Sequence, residues 1–181
     1  EGQGRVAQFV AKLQGTGATI DHGADVRQAG RCIARYLAER ELSPVARLVA
    51  TPHPMLDELS IEPGPDIAFD LPQASDRVGI SVADLGLAES GSLVFLSSPQ
   101  SPASFHFVPE TEIVLLSARA VVAGMEDVWA YLRLKHQGAM PRAVHLVTGP
   151  SRTADIELTL TMGAHGPRNL HVILVGGEAA T

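Results

Sequence analysis

The chain has 181 residues, a formal net charge of -6, and 45% hydrophobic but only 4% aromatic residues. That length is enough for one domain with a real core, and the core must rest on Val, Leu, Ile and Ala. The acidic balance and the absence of a clustered basic face argue against a nucleic-acid partner. The short basic group around Arg133, Lys135 and His136 reads as one solvated helix face. The single cysteine, Cys32, rules out a disulfide within the chain and cannot supply the four thiolates of a [4Fe–4S] cluster.

In chain order, apolar residues at Val6, Phe9, Val10 and Leu13 have helical spacing, and Gly15 and Gly17 stop that helix. Ala18 to Ile20 is a short strand. Residues 25–40 are again helix-periodic through Val26, Ala29, Ile33, Tyr36 and Leu37, with Cys32 as a small buried hydrophobe rather than a reactive thiol. A short buried strand is expected at 47–51 and a short helix at 53–59. Residues 62–75, rich in Pro and Gly, connect to the second half, with one short strand at 67–69.

The second half reads as strands at 78–82, 93–97, 112–117, 143–148 and 170–175, with helices at 125–135 and 151–162. Continuous apolar strands alternating with helices predict an α/β fold: an open, mostly parallel sheet with helices on both faces. Ligands on such sheets bind in the loops beyond the carboxyl ends of the strands. No apolar run approaches the ~18 residues of a membrane span. No signal-peptide pattern is visible, and the chain opens on Glu1 rather than Met; the expected compartment is the cytoplasm.

Three segments have the composition of a site. The first runs from Thr148 through Gly149, Pro150, Ser151, Arg152 and Thr153 to Asp155 and Glu157. As a strand-to-helix turn it would offer free N–H groups to an anion, with Ser151, Thr153 and Arg152 as further donors. The same spacing also serves as an ordinary cap with Ser151 as N-cap. The second is Gly163-Ala164-His165-Gly166-Pro167, where His165 could bind a ligand or move a proton, or simply occupy a turn. The third is Ala88-Glu89-Ser90-Gly91-Ser92, where Glu89 is a candidate base or nucleophile, or a hydrogen-bonded turn residue. His106, His145, His165 and His171 lack zinc-site spacing. There is no dinucleotide fingerprint, phosphate-binding loop or nucleophile elbow.

Together, in order and separation, these segments resemble the lactate-utilisation (LUD) domain family over about residues 76–176, within a single domain spanning 1–181. The resemblance implies a fold similar to that of ribose-phosphate isomerase and CoA transferases. It also implies a role as accessory or subunit in oxidation of L-lactate to pyruvate, beside partner proteins that carry iron–sulfur clusters, with no cofactor in this chain and a small carboxylate or other anion as ligand. It carries over no catalytic residues. A stand-alone CoA-transferase-like or ligase-like enzyme and a non-catalytic ligand sensor stay open on the same fold, the former because Glu89 and Gly91 resemble the Glu-x-Gly of CoA transferases. The expected site joins Glu89 and His165 as reacting groups with Gly91, Gly149, Ser151, Arg152, Thr153 and Gly166 as ligand-binding residues.

Overall fold

The computed structural model describes residues 2–42, 47–137, 140–154, 160–162 and 166–176, with residues 104, 152–154 and 160–162 described by backbone alone. In chain order the elements are α1 (Gly2–Gly15), β1 (Thr19–Gly23), α2 (Val26–Glu39), β2 (Arg47–Ala50), β3 (Asp66–Ala68), β4 (Val78–Val82), β5 (Leu85–Leu87) and β6 (Ser92–Leu96). They continue with β7 (Thr111–Ser117), β8 (Val121–Val122), α3 (Met125–His136), β9 (Val144–Val147), β10 (Arg152–Ala154), β11 (Leu160–Met162) and β12 (Asn169–Val175). Short 3-10 turns lie at Pro54–Leu56, Ala103–His106 and Ala118–Ala120.

The apolar runs of β7 and β12 have no solvent face. Ile113 to Leu116 and Val172 to Leu174 are all fully buried, as expected of a parallel sheet covered on both sides. These strands sit in a six-stranded sheet of order β1-β12-β7-β4-β2-β3, in which every pair is parallel. Side chains alternate along each strand. Ile113, Leu115 and Ile173 join α2 through Ile33, Tyr36 and Leu37 in one core. Val114, Leu116, Val172 and Leu174 join α1 through Phe9 and Leu13 in another, which also takes in Leu93 and Phe95 of β6.

The second face is therefore covered by more than a helix. Strands β8-β5-β6-β9 form a separate, mixed four-stranded sheet whose inner face packs with α1 against the large sheet. Its outer face carries Leu85, Leu87, Val94 and Leu96 onto Val128 and Leu132 of α3. The strands expected near 93–97 and 143–148 are present, but they belong to this small sheet. The helix expected at 151–162 is corrected: β10 and β11 pair as antiparallel strands, Arg152 with Met162 and Ala154 with Leu160. Thr153, Leu160 and Thr161 suit an extended chain as well as an amphipathic helix, so periodicity alone did not separate the two.

Local signals explain the other boundaries. Asp25 caps α2 by accepting from the Gln28 N–H at 2.7 Å, and Gln28 Oε1 accepts from the Ala24 N–H at 2.6 Å, a reciprocal start that fixes the helix after β1. Cys32 lies in the buried face of α2, and burial pushes its thiol pKa up, so it is an inert packing residue.

Gly91 is held at φ +74 in the turn between β5 and β6, and a Cβ there would stand 2.5 Å from the Leu13 backbone N and 2.9 Å from its Cα. Both the left-handed backbone and the contact with α1 demand glycine. Gly91→Ala is expected to lower stability by about 2–3 kcal/mol. For a chain of this size that is a fall in melting temperature on the order of 5–10 °C in a thermal unfolding scan.

At the seam between β1 and β12, His171 is 2% exposed and stacks on Tyr36 with ring centroids 4.0 Å apart. Burial pushes its pKa down from 6.5 to about 4; Asp21 opposes this shift, and Arg35 and Arg40 add to it. The folded chain thus binds fewer protons than the unfolded chain between these two values. Stability contributed by neutral His171 is full above pH 6.5 and is lost as pH falls towards 4. Its loss should be on the order of 3 kcal/mol. Denaturant midpoints measured across this window should fall in the wild type and fall less in His171→Asn.

Candidate functional site

On the face of the large sheet turned towards the small sheet, one carboxylate enters an otherwise apolar layer. Glu112, the second residue of β7, is fully buried. Its Oε1 accepts from the Ser81 hydroxyl on neighbouring β4 at 2.7 Å and lies 2.6 Å from Nδ1 of His106. His106 is itself 3% exposed and is delivered by the 3-10 turn Ala103–His106 just before β7. Its ring lies against Phe95 of β6 at 4.0 Å between centroids, so the small sheet forms the opposite wall.

Oε1 accepts from both neighbours, so His106 donates through Nδ1 and, when neutral, presents Nε2 as an acceptor. Among the described residues the second oxygen of Glu112, Oε2, has no hydrogen-bond partner despite being buried. A buried oxygen without a partner is costly, and in native proteins it calls for water, an ion or a ligand. His145 on β9 stands 6.2 Å from His106, half-buried, beside the exposed ring of Phe107. Burial lowers the His145 pKa, and charge on His106 lowers it further. The arrangement is a carboxylate–imidazole pair that can accept, hold and return a proton, with a second, neutral imidazole at its rim.

Two of the expected segments reach this site from the side. Ser151 N–H donates to the Pro167 carbonyl at 2.9 Å. A Cβ on Gly166 would lie 3.3 Å from Ser151 Cβ and 3.9 Å from the His106 carbonyl oxygen. Ser151 and Gly166 thus meet each other at the back of His106. Arg152 and Thr153 follow in β10, paired with Met162 and Thr161, so the helix start proposed to cradle an anion there is replaced by a strand. His165, with Asp155 and Glu157, lies outside the described residues.

The remaining residues gather elsewhere. Ser90, Ser92 and Thr148 form a chain of hydroxyls at 2.7 and 2.6 Å, which ties the Glu89 turn to the Thr148–Gly149 turn. Gly149, at φ +85, is pressed against Thr16 at the end of α1. Gly91 and Gly149 therefore both have packing reasons at α1. Glu89 is exposed; its N–H donates to the Ala123 carbonyl at 3.1 Å, and its carboxylate faces Gly124 at the start of α3. Its neighbours are not those of Ser151 and Gly166. Among the described residues no group of three or more His, Cys, Asp or Glu could hold a metal ion, and no helix is long and apolar enough to cross a membrane.

The sequence reasoning passed over Ser81, His106 and Glu112. The available signal was Glu112 itself, a carboxylate at the head of the apolar run Ile113-Val114-Leu115-Leu116. Such an acid needs a buried partner.

Residues 73–175 match the sequence profile of the LUD domain, and this stretch holds Ser81, His106, Glu112 and His145. The chain belongs to the LUD domain family. Among its relatives, lactate utilization protein C from Geobacillus thermodenitrificans is 36% identical over 101 residues, 55% of this chain and 42% of that protein. An uncharacterized protein from Neisseria meningitidis serogroup B is 38% identical over 97 residues, 54% of this chain and 41% of its own length. The aligned part thus spans about two fifths of these curated relatives. The crystal structure of a DUF162 family protein from Deinococcus radiodurans shares the fold, with a TM-score of 0.70 over 97% of this chain and 99% of that one at 16% identity.

The buried pair predicts a contrast between two glutamates of this LUD domain. Glu112→Ala leaves His106 and Ser81 without their shared acceptor and should cost about 3–5 kcal/mol in urea unfolding. Glu89→Gln, on the surface, should stay within about 0.5 kcal/mol of the wild type. Equal effects would contradict the placement of both.

Proposed function

We propose that this LUD-domain chain serves the oxidation of L-lactate to pyruvate as an accessory or subunit, beside partner proteins that hold the iron–sulfur clusters. The observation that carries the reading is that the family match to residues 73–175 contains the whole buried pair and its rim. Similarity to lactate utilization protein C supplies the pathway.

The chemistry is consistent with that assignment. Converting the alcohol of lactate to the ketone of pyruvate releases two electrons and two protons. The electrons go to the clusters of the partners, since the lone Cys32 is buried and cannot provide a ligand set. His106, held by Glu112 with Nε2 as acceptor, is suited to take a proton from a hydroxyl. A donor from a small carboxylate ligand or from a partner would satisfy the unpartnered Glu112 Oε2.

The test is genetic and biochemical together. Deleting the gene from a host that grows on L-lactate should abolish that growth while growth on pyruvate continues. Wild-type protein should restore it, and a Glu112→Gln variant shown by circular dichroism to be folded should not. Tagged protein should co-purify with iron–sulfur proteins from lactate-grown cells. Unchanged growth and unchanged lactate oxidation in extracts would defeat the reading.

A further inference from the structure

At the end of the large sheet away from β1, strand β3 leaves an edge open. Among the described residues it pairs only with β2, so the peptide groups on its other side have no strand to bond. The chain between β2 and β3 folds beside it and encloses a groove of about 520 Å³. Leu56, Ile61 and Ile67 line this groove with apolar surface, and all three pack on the core beneath α2. Phe69, 46% exposed, extends that surface, and Leu71 beyond it is 63% exposed.

The groove is built into the fold. Gly30 of α2 leaves the space that the Ser60 carbonyl fills, and a Cβ at Gly64 would lie 2.9 Å from the Ile61 carbonyl oxygen. These contacts clamp the 56–65 loop against α2 and against itself, so the wall facing β3 is set before anything binds. Three carboxylates stand on the groove: Asp57 and Glu62 from the loop and Asp66 from β3. All three are exposed, and none pairs with a cation among the described residues. Charges that only guard a sheet edge project from the edge strand itself. Here two of the three acids face β3 from across the groove, and the apolar side chains of Phe69 and Leu71 stay uncovered.

The occupant has to answer both the open edge and the charge. An extended segment brings peptide groups to β3 and sends its side chains alternately to the two faces, as in strand addition to a sheet. Its apolar residues would rest on Ile67 and Phe69, and its cations would meet Asp57, Glu62 and Asp66. A second copy of this chain answers the edge but not the charge. The chain carries a net charge of -6, and pairing β3 with its own copy would bring two sets of these carboxylates together. We infer that the groove beside β3 is a docking site for an extended segment of a partner protein in which apolar residues alternate with Lys or Arg. The groove precedes residues 73–175, which match the LUD domain, so the inference stands apart from the functional reading above.

The test uses the full chain and a fluorescein-labelled peptide of alternating lysine and valine, blocked at both ends, followed by anisotropy and by ¹H–¹⁵N NMR. Saturable binding is expected, with shifts concentrated in residues 56–69, and the same peptide with glutamate in place of lysine should not bind. Methylating the peptide nitrogens that would pair with β3 should weaken binding about tenfold. Asp57→Asn with Asp66→Asn should also weaken it about tenfold. Glu41→Gln with Glu126→Gln, at exposed acids outside the groove, should leave it unchanged. No saturable binding, or equal weakening by the two double variants, would overturn the site. Full affinity of the methylated peptide would overturn the pairing with β3. Wild-type self-association that Asp57→Asn with Asp66→Asn strengthens and the lysine peptide blocks would put a second copy in the groove and overturn the choice of partner.

Discussion

Burial of the parallel sheet on both faces governs what the rest of the molecule can do. With α2 on one side and α1 plus the small sheet on the other, the polar side chains of Ser81, Glu112 and His171 are cut off from bulk water. Each must bring a partner or remain unsatisfied. Glu112 meets Ser81 and His106, and His171 meets Thr19. Each cluster still has one atom without a partner, Glu112 Oε2 and His171 Nε2. The two atoms lie on opposite faces of one sheet, so the same constraint produces two separate polar clusters.

The small sheet closes over the first of these clusters. Its strand β6 brings Phe95 against His106, and β9 brings His145 to the rim. Both strands come from the segments that connect β4 to β7 and β7 to β12. The connections between the central strands thus build the wall facing Glu112. A plain helical crossover would have covered the sheet without placing an imidazole there.

Much of the large sheet was legible because strands buried on both faces leave continuous apolar runs: Val78–Val82 was read with its observed limits, and 112–117 and 170–175 within a residue. The helix α2 was legible through the periodic Val26, Ala29, Ile33, Tyr36 and Leu37. The small sheet was only half legible. β5 and β8 are three and two residues long, too short for a period to show. The segment around Ser151 has residues compatible with either helix or strand, and strand pairing decided it. For the site, the sequence argument weighed Glu89 and passed over Glu112. A carboxylate beside a buried strand needs a partner, and Glu89 precedes β6 in an exposed turn while Glu112 lies inside β7. The partners of Glu112 stand 31 and 6 residues away, and only the fold brings them together.

The order of the strands also bears on how the chain is made. Among the described residues β1 is an edge strand whose only neighbour in the sheet is β12, and 152 residues separate Thr19 from His171. At ribosomal speeds of about 5–20 residues per second, roughly 8–30 s pass between the emergence of the two. Throughout that interval β1 has no strand to pair with, and the face of α2 that covers the β1–β12 seam has no complete surface beneath it. β1 is therefore locked in place only once β12 has been made, and the nascent chain must keep it from other partners across that interval.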